Sequence, residues 1–289
     1  MHYKKYKSIL SAKNGVNLYR GCLHGCIYCD SRSECYQFDH DFEDIEVKED
    51  ALKILRDELT KRKRKVMIST GSMTDPYMPI EHDLRLTRGF LELAYELHHG
   101  ASVLTKSASV LRDLDIAKKI NERSRFVLQM TLTTADENLC KILEPNVSST
   151  IERVEALRRF SEALIDTVVW ITPICPFIND TFENIDKLID YCIYAKVKAI
   201  ILFDDIGLTL RKGDREYFYR HLDINFPGLK DKYMETYGNN YVLSSQNRKE
   251  LLSHVYKRCK EVNILVKTRE VFAFIDKLKE PVNLFSMEE

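Results

Sequence analysis

The 289-residue chain balances 44 basic against 44 acidic residues, and 44% of it is hydrophobic. That is enough apolar material for a sizeable core, which excludes a disordered or collagen-like chain. With 10 Gly and 7 Pro, roughly 6% against an average of about 12%, Gly/Pro-rich linkers and a turn-dense β-sandwich are excluded as well, leaving a helix-rich α or α/β protein. Zero net charge offers no global attraction to nucleic acid or anionic lipid, so such a partner must be met by a local patch. Residues 1–7 carry no apolar run after their basic residues, and the most apolar later stretch, residues 168–178, is broken by Pro173 and Pro176. The expectation is a cytoplasmic, soluble protein without a membrane span.

In chain order, strand-like runs at residues 16–19, 66–70, 102–105, 126–133, 167–172 and 199–203 alternate with helical patterns. The helices fall at residues 48–64, 84–98, 108–122, 149–164 and 182–195, with apolar residues three and four apart. Thr181 is placed to cap the fifth helix. Such alternation specifies a parallel sheet, and six units suit a partial (β/α)6 barrel of the TIM type. After Phe203 the rhythm changes, which predicts a barrel core over residues 1–205 and a mainly helical extension over 206–289 that packs on it. Helices are expected at residues 245–256 and 271–278, with a short strand at 264–267. The basic run from Lys61 to Lys65 is read as the solvated end of a helix, where the dipole favours cations.

Eight cysteines are too sparse for a disulfide scaffold, and three of them, Cys22, Cys26 and Cys29, crowd into one loop after the first strand. That is the end of a β/α barrel where active sites are built. The spacing C-x3-C-x2-C lets a short loop give a thiolate to each of three irons of a cubane and leaves the fourth iron open to a substrate or cofactor. Gly21 and Gly25 suit the tight backbone this requires. A tetrahedral zinc site using the same three thiols with His24 or Cys35 also satisfies the spacing. Cys35, Cys140, Cys175, Cys192 and Cys259 read as small apolar residues.

The cysteine motif at the end of the first strand resembles the radical S-adenosylmethionine (SAM) enzymes. More narrowly, residues 17–30, the run Ser69–Tyr77, Thr105-Lys106-Ser107, Leu143-Glu144-Pro145 and residues 173–180 resemble the spore photoproduct lyase family and its lyase-like relatives. The resemblance implies a [4Fe–4S] cluster on Cys22, Cys26 and Cys29 and a SAM bound to its open iron. Reductive cleavage of SAM then gives a 5′-deoxyadenosyl radical that abstracts hydrogen from a substrate, with the electron coming from an external flavodoxin- or ferredoxin-type reductant. It implies that Tyr28 packs near the adenine and that Ser69, Thr70 and Gly71 meet the SAM amino group. Lys106 would pair with its carboxylate, and Thr131 and Thr133 would offer hydroxyls from the fourth strand. Asp75, Glu81 and Glu144 are polar candidates without an assigned role.

Two departures bear on the substrate. Where the lyase has its hydrogen-donating cysteine this chain has Ser72, followed by Met73, and neither carries an S–H bond. Where the lyase has a relay tyrosine after the third cluster cysteine, this chain has Asp30. The substrate therefore stays open, with nucleic acid kept as a candidate; repair of photodamaged DNA would need another donor, Cys35 or Cys140. A competing class is a zinc-stabilised nucleic-acid-binding module. It would stack bases on Tyr217, Phe218, Tyr219, Tyr233, Tyr237 and Tyr241 between Arg211, Arg215, Arg220 and Lys230.

Overall fold

The computed structural model describes residues 1–279. The elements begin with strands β1 (His2–Lys5), β2 (Gly15–Val16), β3 (Tyr19–Arg20) and β4 (Glu46–Glu49), then helix α1 (Ala51–Thr60). Next come β5 (Met67–Thr70), α2 (Glu81–Leu84), α3 (Leu86–Glu96), β6 (Gly100–Thr105), α4 (Leu114–Arg123) and β7 (Phe126–Thr131). They are followed by α5 (Glu137–Leu143), α6 (Thr150–Glu162), β8 (Asp166–Trp170), α7 (Phe182–Tyr194) and β9 (Ala199–Ile201). Last are β10 (Gly207–Thr209), α8 (Asp214–Asn225), α9 (Leu229–Tyr237), β11 (Val242–Ser244), α10 (Arg248–Glu261) and α11 (Thr268–Asp276).

Six strands form one parallel sheet in the order β2-β5-β6-β7-β8-β9, so the fold is a partial β/α barrel with a mainly helical C-terminal part. Alternation along β7 shows how the sequence builds it. Phe126, Leu128 and Met130 join the main core with the surrounding helices, whereas Val127 packs on the other face with Met67, Val168, Ala199 and Ile201. Val271 and Ile275 of α11 cover that second face, and Arg125 ties the helix down by donating to the carbonyls of Phe274 and Lys277. Above this layer the inner face turns polar: Gln129 donates to Ser102 Oγ at 2.5 Å and accepts from Trp170 Nε1 at 2.8 Å.

The predicted first strand at residues 16–19 is instead two short strands in two sheets. Val16 pairs with Thr70 in the barrel, while Tyr19 pairs with Val47 in a three-stranded sheet of order β1-β4-β3. The predicted helix at 48–64 begins as β4, and the basic run lies just beyond α1. A 3-10 turn at Ala108–Asp113 opens the third predicted helix, and the expected strand at 264–267 is a single bridge from Leu265 to Ala199. Thr181 does cap α7, accepting from the Asn184 amide at 3.2 Å. The aromatic stretch proposed as a stacking surface is largely core: Phe218 and Tyr233 are fully buried and pack with Cys26, Ile27 and Tyr28. Among the described residues no helix is long and apolar enough to cross a membrane.

Candidate active site

The loop after β3 is held on both sides. Gly21 takes φ +87°, and a Cβ there would collide with the Phe42 carbonyl, which accepts from the Cys22 amide at 3.2 Å. On the other side Ile27 N donates to Leu143 O at 2.9 Å, and the Asn146 side chain and amide donate to Leu23 O and His24 O at 3.0 and 3.1 Å. The connection between α5 and α6 is thus a brace for the loop. Cys22, Cys26 and Cys29 line one cavity of about 210 Å³, together with Tyr28, Gly71 and Lys106.

All three cysteines are free thiols. Burial, with Asp75 and Cys29 adding, pushes Cys22 up to about 12, and burial also raises Cys26 and Cys29. Thiolates in such a place require positive charge to hold them. One tetrahedral zinc would hold its sulfurs about 3.8 Å from one another, given Zn–S bonds of about 2.3 Å. Among the described residues no trio of ligand atoms within 4.8 Å of each other includes any of these cysteines. Three thiols on one cavity fit the three protein ligands of a cubane whose fourth iron is open.

Asp75 knots the strand ends together. It accepts from the amides of Tyr77 at 2.8 Å and Lys106 at 2.7 Å and from the Thr105 hydroxyl at 2.7 Å, and His24 Nε2 lies 3.1 Å away. Burial opposes its ionisation, yet His24 and these donors hold its carboxyl down at about 2. Gly71, at φ +101°, lets the end of β5 touch β6; a Cβ there would overlap Leu104 O.

A second buried network meets the loop at Tyr28, whose hydroxyl donates to Glu144. Glu144 forms a fully buried ion pair with Arg153 at 2.8 Å, and Arg153 also donates to Thr131 O at 2.7 Å. Lys106 Nζ stands 5.9 Å from the Tyr28 ring centroid. Burial works against its charge, but Cys26, Glu144 and Asp75 raise its pKa. It enters the cavity as an ammonium with anionic neighbours.

Of the residues singled out from the sequence, Cys22, Cys26, Cys29, Tyr28, Gly71, Lys106 and Thr131 share this cavity; Ser69, Thr70 and Thr133 do not line it. Thr133 lies beyond the end of β7, with its hydroxyl buried and unpartnered. Ser72 is exposed at the cavity. Asp30 turns away and accepts from Tyr36 at 2.9 Å. Neither alternative donor faces the cavity: Cys140 is buried against Arg153, and exposed Cys35 sits beside Arg211. Trp170 and Thr172 line the cavity without having been singled out. Arg153 was missed too, since a helical arginine carries no mark of burial in sequence.

The model of the Radical SAM superfamily matches residues 16–192, more than half of the chain. An uncharacterized protein of Methanocaldococcus jannaschii is 32% identical over 221 residues, covering 76% of this chain and 78% of the relative. One from Mycobacterium tuberculosis is 28% identical over 246 residues, covering 83% and 72%. Among solved structures, spore photoproduct lyase complexed with dinucleoside spore photoproduct superimposes with a TM-score of 0.61 at 16% identity, over 86% of this chain and 74% of the lyase.

Proposed function

From the premise that the chain belongs to the radical SAM superfamily, whose members are enzymes carrying a [4Fe–4S] cluster and SAM, we propose that Cys22, Cys26 and Cys29 ligate the cluster. The observation that carries this is the convergence of three unpaired thiols, Cys22 and Cys26 buried and Cys29 half-buried, on one cavity. Held by these three thiolates, the cluster and SAM would supply one-electron reductive cleavage of SAM to methionine and a 5′-deoxyadenosyl radical, the oxidant for hydrogen abstraction from a substrate.

The chain's own residues supply position and shelter. Lys106 offers its ammonium to the SAM carboxylate, and Gly71 leaves its backbone open for the amino group. Tyr28, steadied by Glu144, presents an aromatic face for the adenine, and the Thr131 hydroxyl is placed for the ribose or methionine. Ser69, Thr70 and Thr133 stand outside the cavity lining. An external one-electron reductant of the flavodoxin or ferredoxin type completes the system.

The substrate is distinct from the lyase's in its demands, because Ser72 has no thiol hydrogen and the two other candidate cysteines are turned away from the cavity. The test is anaerobic reconstitution with iron and sulfide, followed by dithionite and SAM. 5′-Deoxyadenosine is expected from wild type and not from Cys26→Ala; a correctly loaded cluster that forms none with any reductant refutes the reading.

A further inference from the structure

A second pocket, of about 270 Å³, lies between the N-terminal sheet and the loop that follows β5. Met73 and Thr74 line both this pocket and the cysteine cavity, so a single stretch of chain separates the two. No residue proposed to meet SAM lines it. Its walls are aromatic, with Tyr6, Tyr19, Tyr36 and Phe38, and its charged lining residues are Arg20 and Lys48, with no acid among the lining.

The two cations are not equivalent. Arg20 is committed to the architecture: its guanidinium lies 4.5 Å above the Phe38 ring and donates to the carbonyls of Tyr36 and Gln37. Lys48 is half-buried, with its Nζ 4.6 Å over the Tyr6 ring, and no salt bridge holds it among the described residues. Glu46, on the same strand, is already engaged by Lys4 and Tyr6. Asn17 adds a buried side-chain oxygen that has no hydrogen-bond partner. A half-buried ammonium that no carboxylate contacts, with Glu46 acting on it only from a distance, and a buried acceptor without a donor both carry a desolvation cost that a ligand can relieve. Flat aromatic walls select a planar ring. The volume, just below the usual range for ligand pockets, limits the occupant to one ring and one anionic group joined directly or through a single sugar.

We propose that this pocket is the recognition subsite of the substrate and takes a planar aromatic ring bearing a single anionic group. Lys48 pairs with the anion, the aromatic walls contact the ring, and Asn17 accepts from a ring N–H or O–H. The proposal rests on the radical SAM reading above and narrows its substrate class.

The test uses reconstituted protein with SAM at saturation and four probes: uridine 5′-monophosphate, 4-hydroxybenzoate, uridine and inorganic phosphate. Calorimetry is expected to show at least one ringed anion binding about tenfold or more tightly than uridine or phosphate. Which one binds tells a nucleotide from an aryl acid. Lys48→Gln should weaken that ligand about tenfold without lowering the melting temperature, and Lys48→Arg should restore much of the loss. Occupancy should also change the rate of 5′-deoxyadenosine formation, because Met73 and Thr74 are shared. Binding of none of the probes, or binding indifferent to Lys48, overturns the proposal; so does binding that leaves 5′-deoxyadenosine formation unchanged. Absence of 5′-deoxyadenosine in every sample would instead sink the radical SAM reading and leave the binding result standing.

Discussion

Removing the charge of Glu144 while keeping its shape tests whether the buried network behind the cysteine loop is organised by the ion pair. Glu144 and Arg153 are fully buried at 2.8 Å. At an effective dielectric of about 20 their attraction is about 6 kcal/mol, set against a desolvation penalty of several kcal/mol for each ion. In Glu144→Gln the new amide still accepts from Tyr28, but Arg153 is left as an uncompensated buried cation, which costs about 3–5 kcal/mol. For a chain of this size that corresponds to a fall in Tm of order 10 °C. Combining Glu144→Gln with Arg153→Met removes both charges and should recover much of the loss, because a well-packed apolar replacement of a buried pair is often neutral. The assay is calorimetric melting of wild type, both single variants and the double variant, read as a double-mutant cycle. If Glu144→Gln melts within 2 °C of wild type, or the double variant melts no higher than the singles, the ion pair does not organise the brace.

Lys106→Met should leave iron content unchanged and raise the Kd for SAM about 10- to 100-fold, the worth of one charge-assisted hydrogen bond, measured by equilibrium binding to reconstituted protein. Gly71→Ala forces a Cβ into Leu104 O at positive φ, costing about 2–4 kcal/mol in urea unfolding; a neutral result would mean the β5–β6 contact yields freely. Val271→Ala and Ile275→Ala each remove methyl groups from the inner face and should cost about 1–4 kcal/mol by the same measurement. Burial, with Asp30 adding, pushes the Asp214 carboxyl up to about 6 against donors from the Arg211 amide and Ser33. The folded state therefore prefers the protonated acid, and this contribution to stability, full below pH 4, is lost as pH rises through 6. Asp214→Asn should gain in Tm relative to wild type between pH 4.5 and 7.5; a constant difference refutes the assignment.

The barrel was legible because β5 to β9 are apolar runs flanked by helical periodicity, and parallel strands bring their following loops to one end. The cysteine loop and Lys106 were legible for that reason. The N-terminal sheet was not: β1 reads His-Tyr-Lys-Lys, without apolar alternation, and gains its partner only across a distant stretch of chain at β4. Nor were α8 and α9, whose mixed tyrosines and charges show no clean apolar stripe. Arg153 is written like any helical surface cation, and its burial follows from Glu144, which folding alone brings beside it. Thr133 follows from the strand's alternation only if that alternation is carried two residues past Thr131, where the backbone leaves the sheet.

The placement of α11 against the inner face sets an order of events during synthesis. Met67, Val127, Val168 and Ile201 leave the ribosome well before Val271 and Ile275, the side chains that cover them. For the interval in between, a nascent barrel wall presents an uncovered oily surface, the kind that associates with other chains or is shielded by chaperones. Helix α11 thus acts as a release signal: a chain stalled before residue 268 holds a nearly complete parallel sheet that is still sticky.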